Sequence, residues 1–352
     1  MSATEKSQES AGKRSWKGPA CLTLLLVGLT AIVLWGWQLR PRVPLLLTLA
    51  TQAVPKERFS GPQFAWLSDN QYATFGKDNR TLCRYSLANG SRTQLLASLD
   101  SRSWCSNIQA SPDGRWLHWT KCTGGPRYGS WFRIQEYFTH TDDGRTYQDA
   151  YSLWGPWEPD SRHILGLTIL RESLVIFDPF ANRISRTLPL ASGVSSNLGN
   201  SIEVAPDRLL EISQENNTKE SIEVCEYGVD KTLHLTHKWL VSPPHDTTIG
   251  TIANIRLSPT GDRIAWLVDS AQVDSGRAAL HRLLPFVSVP MQLRQELWIS
   301  RLDGKGMRLV GQTLLKTRSG NEVRITDLRW LPNGKRLSFS YEDALWTVSV
   351  QQ

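Results

Sequence analysis

Apolar and polar positions divide the chain into two unlike parts. Residues 20–39 form a predominantly apolar run that contains no charged side chain. A helix of about 20 apolar residues just spans the hydrocarbon core of a bilayer, so this run predicts one transmembrane helix after a short cytoplasmic head at 1–19. From residue 64 onward, short segments that alternate apolar and polar residues are separated by turn-forming residues, which predicts many short β-strands.

Aromatic and basic residues flank the predicted transmembrane helix. Trp16 precedes it, and Trp35 and Trp37 lie at its far end, where interfacial aromatic residues are enriched. Four basic residues lie within 1–19 and four within 40–58, so the positive-inside rule leans only weakly toward a cytoplasmic head. A short basic head followed by one apolar run is nevertheless the layout of a signal-anchor. We therefore expect a single-pass membrane protein whose C-terminal domain, 40–352, is extracytoplasmic, either periplasmic or extracellular.

Two other interpretations of the apolar run are weaker. A cleaved signal peptide usually has a shorter apolar region and a small-residue cleavage site, which this run does not clearly have. A buried core helix is not expected so close to a charged terminus. The run therefore favours a retained helix that contacts membrane lipid.

A repeated corner motif is the most informative feature of the C-terminal part. Each copy consists of an apolar strand, a turn, a basic residue and a second apolar strand. In most copies proline presets the first turn dihedral. Where Asp-Gly, Thr-Gly or Asn-Gly follows, the glycine supplies the positive φ that reverses the chain. A first copy, at 64–72, lacks the proline, and five copies contain it: 108–119, 157–165, 202–210, 255–266 and 328–339.

The corner prolines recur at a spacing close to the length of a propeller blade. They occupy positions 112, 159, 206, 259 and 332, and are therefore 47, 47, 53 and 73 residues apart. Units of about 45 residues with four short strands each are typical of β-propeller blades. We expect an all-β, six-bladed β-propeller preceded by one transmembrane helix.

These corners also resemble a known repeat. Ser-Pro-Asp-Gly-Arg at 111–115, Ser-Pro-Thr-Gly-Asp-Arg at 258–263 and Leu-Trp-Ile-Ser-Arg-Leu-Asp-Gly at 297–304 are similar to the TolB-type, WD-like β-propeller repeat. The resemblance covers 64–350, although the first copy lacks the proline and the copy at 202–210 lacks the corner glycine. It implies the propeller fold and leaves the activity open, since such propellers serve as interaction platforms, lyases, cyclases and side-domains of proteases.

The last repeat leaves its blade one strand short. It ends with a third strand at 344–350, and only two residues follow. Because an open ring would leave a bare strand edge, we expect the segment at 44–52 to pair with 344–350 and close the ring. The longest corner spacing holds an insertion at 270–294. It is either a loop packed on the rim or a basic, apolar element that contacts a partner or the membrane.

Two cysteines flank the second corner. Cys105 and Cys122 lie symmetrically about the turn at 112–115, so in a symmetric hairpin they would face each other. A disulfide between them in an oxidising compartment and a pair of packed thiols are both compatible with this spacing.

No linear motif for catalysis, cofactor binding or metal binding occurs in the sequence. The sequence contains no G-x-S-x-G nucleophile elbow, no H-E-x-x-H zinc-protease motif, no C-x-x-C motif and no glycine-rich nucleotide loop. No catalytic, cofactor-binding or metal residue is therefore assigned, and no cofactor is expected. The net charge is +7, but the basic residues are scattered, so nucleic acid is not an expected partner.

The sequence therefore favours a non-catalytic, membrane-anchored scaffold or sensor that binds a protein or peptide partner. The alternative is a propeller enzyme, a lyase or hydrolase that acts on a polysaccharide or modified peptide at the central channel, where carboxylates and histidines from several blades would converge. A third interpretation is carbohydrate binding, which predicts several exposed tryptophans on one rim. Most of the 15 tryptophans fall inside the repeats, however, and are expected to be structural.

Overall fold

The repeat region forms a compact unit in the computed structural model. This unit comprises residues 44–352, and residues 1–43 form a second unit that lies outside the described residues. The predicted head at 1–19 and transmembrane helix at 20–39 therefore lie outside them too. In the described part of the chain, no helix has the length and apolarity to cross a membrane. The described residues are 45–59, 61, 63–124, 133–148, 155–167, 173–189, 202–205, 208–214, 221–229, 233–242, 250–273, 282, 291–318 and 321–351.

Six antiparallel sheets form the blades of a β-propeller, which confirms the predicted all-β, six-bladed fold. Within a blade, each strand pairs with the next one in the chain, from the innermost strand outward. In blade three, a bridge between Trp157 and Ile164 stands in place of the innermost strand. The strands of blades one to three are β2 (Phe64–Ser68), β3 (Gln71–Phe75), β4 (Leu82–Ser86) and β5 (Arg92–Leu96); β6 (Ser103–Ala110), β7 (Trp116–Thr123), β8 (Arg133–His140) and β9 (Thr146–Gln148); and β10 (Ile164–Leu167), β11 (Ser173–Asp178) and β12 (Arg183–Pro189).

Blades four to six complete the ring. A separate two-stranded hairpin, β21 (Lys316–Arg318) and β22 (Asn321–Val323), lies in the chain between blades five and six. Blade six takes its outermost strand, β1 (Ala50–Val54), from the N-terminal side of the repeats. The remaining strands are β13 (Ile202–Ala205), β14 (Arg208–Gln214), β15 (Ile222–Val229) and β16 (Leu233–Val241) in blade four; β17 (Gly250–Leu257), β18 (Arg263–Val273), β19 (Met291–Arg301) and β20 (Arg308–Leu314) in blade five; and β23 (Thr326–Trp330), β24 (Arg336–Tyr341) and β25 (Ala344–Ser349) in blade six.

The corner turns have the chemistry that the sequence predicts. In blade two, Gly114 has a φ of +70°, and its N–H donates to the carbonyl oxygen of Ser111 over 2.9 Å. A carboxylate oxygen of Asp113 accepts the N–H of Arg115 over 3.0 Å. A Cβ on Gly114 would lie 2.0 Å from the carbonyl oxygen of Leu67 in blade one. Glycine is therefore required here both by the backbone conformation and by the close approach of the two blades.

The N-terminal strand β1 closes the ring. It pairs antiparallel with β25, with Ala50 opposite Val348. The segment expected to close the ring, 44–52, overlaps β1 only in its last three residues, because Leu46–Leu49 form a helical turn, α1, instead of a strand. The closing strand is therefore displaced toward the C-terminal end of the predicted segment.

The helical turn α1 ties the closing segment to blade five as well as to blade six. Leu46 is fully buried in the apolar cluster between these two blades, together with Leu297 and Val348. Gly311 of β20 makes room for it, because a Cβ there would lie 2.9 Å from the Cα of Leu46. The closing segment therefore packs across a seam between blades.

Tryptophan side chains fill the seams between blades. Trp119 of blade two meets Phe75 of blade one edge to face, with ring centroids 6.0 Å apart. Trp266 of blade five is fully buried in a cluster that includes Leu210 of blade four. These positions agree with the structural role expected for most of the tryptophans.

The hairpin of blade five extends into the region predicted as an insertion. Strands β18 and β19 pair without interruption from Arg263 opposite Arg301 to Val273 opposite Met291. Both ends of the predicted 270–294 insertion therefore belong to the sheet. Nearly all of the residues between the two strands lie outside the described part of the chain.

The register of the second hairpin differs from the symmetric one expected for Cys105 and Cys122. Asn107 adopts a left-handed φ of 49° at a bulge in β6, and this extra residue shifts the pairing by one position. Cys105 therefore lies opposite Lys121, and the two cysteines point to opposite faces of the sheet. Both are free thiols, and burial raises the pKa of Cys105 to about 12. The expectation that the two cysteines face each other is wrong.

Candidate functional site

The corner turns gather on one face of the ring, which we call the corner face. The innermost strands of a propeller run in the same direction, so their turns to the second strands lie on the same side. The N–H of Asn333 in blade six donates to Asp69 Oδ1 in blade one over 3.2 Å. The N–H of Asp113 in blade two donates to Ser161 Oγ in blade three over 2.9 Å. Neighbouring corners thus form a connected surface.

Four aromatic rings cluster on the corner face where blades two and three meet. This aromatic seam consists of Trp116, His140, Tyr147 and Phe180. The ring centroid of Trp116 lies 4.7 Å from that of His140, 4.4 Å from that of Phe180 and 5.9 Å from that of Tyr147. Tyr147 and Phe180 remain 46% and 40% exposed. Single exposed apolar residues are ordinary, but a contiguous cluster marks an interaction surface.

The corner of blade two and the turn after β8 position two of these rings. Trp116 is the first residue of β7, and its N–H donates to Ser111 Oγ over 3.0 Å. His140 ends β8, and its Nδ1 lies 3.1 Å from Asp143 Oδ1. The N–H and the guanidinium of Arg145 hold the pKa of Asp143 below its usual range. An ionised carboxylate therefore fixes the imidazole beside Trp116.

A buried aspartate holds the turn that presents Phe180. Asp178 accepts the N–H groups of Phe180 and Ala181 over 3.0 Å each, and forms an ion pair with Arg162 at 2.8 Å. Burial works against ionisation of Asp178, but the N–H of Ala181 and the Arg162 guanidinium outweigh it and lower its pKa. Arg162 belongs to the corner of blade three. That corner and the turn bearing Phe180 therefore form one bonded unit.

Charged side chains of both signs surround the aromatic seam. Arg115 and Arg145 are exposed, as are the carboxylates of Asp113 and Asp143. An apolar centre with a polar, solvent-accessible rim is the usual anatomy of a protein-binding surface. The aromatic seam is therefore the candidate functional site.

Within the described part of the chain, one group of side chains has the composition and spacing to hold a metal ion. It consists of Glu158, Asp160 and His163, whose ligand atoms all lie within 4.8 Å of one another. These residues form the corner of blade three, next to Arg162.

The described innermost strands do not bring together the groups that the enzyme alternative requires. These strands contain no histidine, and their carboxylates are Glu203 in blade four and Asp327 in blade six. Their exposed positions include the polar side chains of Gln109, Thr251 and Thr326. The convergence of histidines and carboxylates that would favour a lyase or hydrolase is not found among these strands.

The tryptophans do not form the platform that carbohydrate binding predicts. None of the tryptophans in the described residues is exposed. Five of them are buried: Trp66, Trp119, Trp157, Trp266 and Trp330. The described tryptophans therefore do not support the carbohydrate-binding interpretation.

The sequence did not indicate the aromatic seam. Its rings come from a corner, a strand end, an outer strand and the turn of the next blade, so no local spacing connects them. The residues singled out in the sequence, Cys105 and Cys122, are not part of it, and Cys122 lies at the opposite end of β7 from Trp116. The one local signal is the aromatic residue directly after the corner of blade two.

The chain was compared with families, curated proteins and solved structures. No family model and no curated protein match it. It is similar to an oligogalacturonate lyase in complex with manganese, at 13% identity and a TM-score of 0.45, over 81% of this chain and 75% of that one. It is also similar to a putative TolB from Agrobacterium tumefaciens, at 14% identity and a TM-score of 0.45, over 82% of this chain and 90% of that one. A third similar structure is the C-terminal WD40 domain of Sif2, at 11% identity and a TM-score of 0.42, over 89% of this chain and all of that domain.

Proposed function

We propose that this chain is a membrane-anchored, extracytoplasmic β-propeller that binds a protein or peptide partner as a scaffold or sensor. The observation that carries this proposal is the aromatic seam, in which two exposed rings, Tyr147 and Phe180, lie beside the partly buried Trp116 and His140 inside a charged rim. The partner segment that it fits presents an apolar side chain to Trp116 and Phe180 and polar groups to the surrounding Arg and Asp residues.

The aromatic seam has the physical properties of a binding surface. Aromatic side chains provide a large contact area with little loss of conformational entropy, and they dominate the energetics of protein interfaces. Here the rings are held in place by Asp143 on blade two and by Asp178 on blade three. A partner would therefore meet a preorganised surface.

The anchoring part of the proposal rests on the apolar run at 20–39. At 1.5 Å per residue, a helix of about 20 residues spans about 30 Å, the thickness of the bilayer core. Membrane lipid is thus the proposed partner of this segment.

The binding proposal is tested by truncating the exposed rings. Tyr147→Ser and Phe180→Ser remove aromatic area from the seam, and Leu235→Ser on the outer strand of blade four removes an apolar side chain that is equally exposed, at 46%. Loss of a hot-spot residue costs about 2 kcal/mol or more, which lowers affinity roughly 30-fold. Partner recovered with the protein from detergent-solubilised native membranes should fall in the two seam variants and not in Leu235→Ser. Equal recovery with all variants would contradict the proposal.

The orientation is tested in intact cells. Protease added outside should digest the propeller while an epitope tag on the head at 1–19 stays protected. A propeller that is protected until the membrane is permeabilised would show that the proposed orientation is wrong.

A further inference from the structure

The corner of blade three departs from the corners of blades two and five. In blade two, Ser111 Oγ donates to Asp113 Oδ1 over 2.6 Å, and in blade five Ser258 Oγ donates to Asp262 Oδ1 over 3.0 Å. In both blades a serine hydroxyl thus donates to the carboxylate of the turn. Blade three has Glu158 at the position of these serines.

This replacement places two carboxylates against one imidazole. His163 Nδ1 lies 2.5 Å from Asp160 Oδ2 and 3.8 Å from Glu158 Oε2. An ionised carboxylate only accepts hydrogen bonds, so Glu158 cannot donate to the turn as serine does. The corner therefore places oxygen atoms from two carboxylates around one imidazole nitrogen.

The backbone preorganises one of these ligands. Asp160 Oδ1 accepts the N–H groups of Arg162 and His163 over 2.8 and 3.0 Å. These bonds leave Oδ2 directed at the imidazole. His163 and Glu158 are largely shielded from solvent, with 22% and 24% of their side chains exposed. The three ligand atoms are therefore already assembled within one turn.

The electrostatics of the corner favour a cation. The carboxylates of Glu158 and Asp160 lie beside a single imidazole, and Glu158 is largely shielded from solvent. Arg186 of β12 compensates part of the negative charge from the outer strand. A divalent cation bound between the three side chains would satisfy both carboxylates directly and remove their mutual repulsion.

We propose that Glu158, Asp160 and His163 bind one divalent cation of the zinc class. An imidazole nitrogen with two carboxylate oxygens is a ligand set that suits Zn²⁺ and similar borderline ions and leaves coordination positions open. In the bound state His163 is neutral, carries its proton on Nε2 and offers Nδ1 to the metal. This site goes beyond the proposed binding function and does not depend on it.

The site also has a structural consequence for the corner face. Ser161, within the same turn, accepts the N–H of Asp113 from blade two, and Arg162 holds Asp178 in the turn of Phe180. A metal bound to this corner would stiffen both connections. Occupancy should therefore raise the thermal stability of the propeller.

The test is calorimetric titration of the metal-stripped full-length chain in detergent micelles with ZnCl₂. Glu158→Ser introduces the residue that blades two and five have at this position, so this variant should fold, and His163→Asn removes the imidazole ligand independently. The matched control is His237→Asn, which breaks another histidine–carboxylate pair, with Glu226 at 3.4 Å, and which lies outside the one metal-binding group found among the described residues.

We expect one saturable Zn²⁺ site whose affinity falls at least about tenfold in Glu158→Ser and in His163→Asn and is unchanged in His237→Asn. Zn²⁺ should also raise the melting temperature of the wild type and of His237→Asn but of neither corner variant. The absence of saturable binding to the wild type would overturn the proposal. Binding that persists unchanged in His163→Asn would overturn it as well, whether or not Glu158→Ser folds.

Discussion

Truncation of Leu46 tests how the ring is closed. Its side chain is fully buried between blades five and six. Leu46→Ala removes three carbon atoms, and at about 0.8 kcal/mol for each buried group the lost transfer free energy is about 2.4 kcal/mol. The cavity left behind brings the expected loss in free energy of unfolding to about 2.7–5 kcal/mol. Leu49→Ala is the control, because Leu49 lies in the same helical turn and is 49% exposed.

The assay is urea unfolding of the fragment 44–352, followed by tryptophan fluorescence. The midpoint for Leu46→Ala should fall well below that of the wild type, whereas Leu49→Ala should change the free energy of unfolding by less than about 0.5 kcal/mol. Equal midpoints for the two variants would refute the conclusion that α1 is part of the closed ring. If only Leu46→Ala lowers the m-value, which is the dependence of the free energy of unfolding on urea concentration, the ring opens before the blades unfold.

Three further changes test the corners and the seams. Gly114→Ala should cost well over about 2 kcal/mol in urea unfolding, because it adds a clash with a main-chain oxygen of blade one to the cost of a left-handed φ. Gly306→Ala is the control: Gly306 also has a positive φ, +63°, but an added Cβ would lie 4.0 Å from the nearest atom, so the expected loss is only about 1–2 kcal/mol. Equal losses in Gly114→Ala and Gly306→Ala would contradict the clash at Gly114. The pKa of Asp178 is lowered on folding, so ionised Asp178 stabilises the folded protein. Thermal melts from pH 7 to pH 3 should therefore show the full stability difference between the wild type and Asp178→Asn above about pH 4, and a smaller difference below it. A pH-independent difference would argue against this ion pair. Gln295→Leu should cost about 1–3 kcal/mol, because it leaves the N–H of Ile325 buried without its acceptor; an unchanged unfolding midpoint would contradict this role.

The fold could be read from the sequence because each corner encodes its own turn. Proline and the residues that follow it specify a chain reversal locally, and the alternation of apolar residues specifies the strands on both sides. The missing strand of the last blade was also visible, since an unpaired edge is unfavourable. The displacement of the closing strand was not, because Leu46 forms a helical turn only against the seam between blades five and six.

The candidate site could not be read in the same way. The aromatic seam joins Trp116 and Tyr147 of blade two to Phe180 of blade three, and only the assembled ring brings them together. The cysteine pair failed for a more local reason: one left-handed residue, Asn107, inserts a bulge that alternation does not reveal. The corner of blade three was not singled out in the sequence, because its chemistry depends on the distances among its three side chains.

Site-specific photocrosslinking on intact cells tests the central claim most directly. A photoreactive amino acid replaces Tyr147 in the aromatic seam or, as the matched control, Leu235 on the outer strand of blade four, since both are 46% exposed. A reagent that cannot cross the membrane then labels and recovers the crosslinked product. The account predicts one discrete, externally labelled crosslinked product from position 147 and none from position 235. No product from 147, the same product from both positions, or a product that is labelled only after the membrane is permeabilised would contradict it.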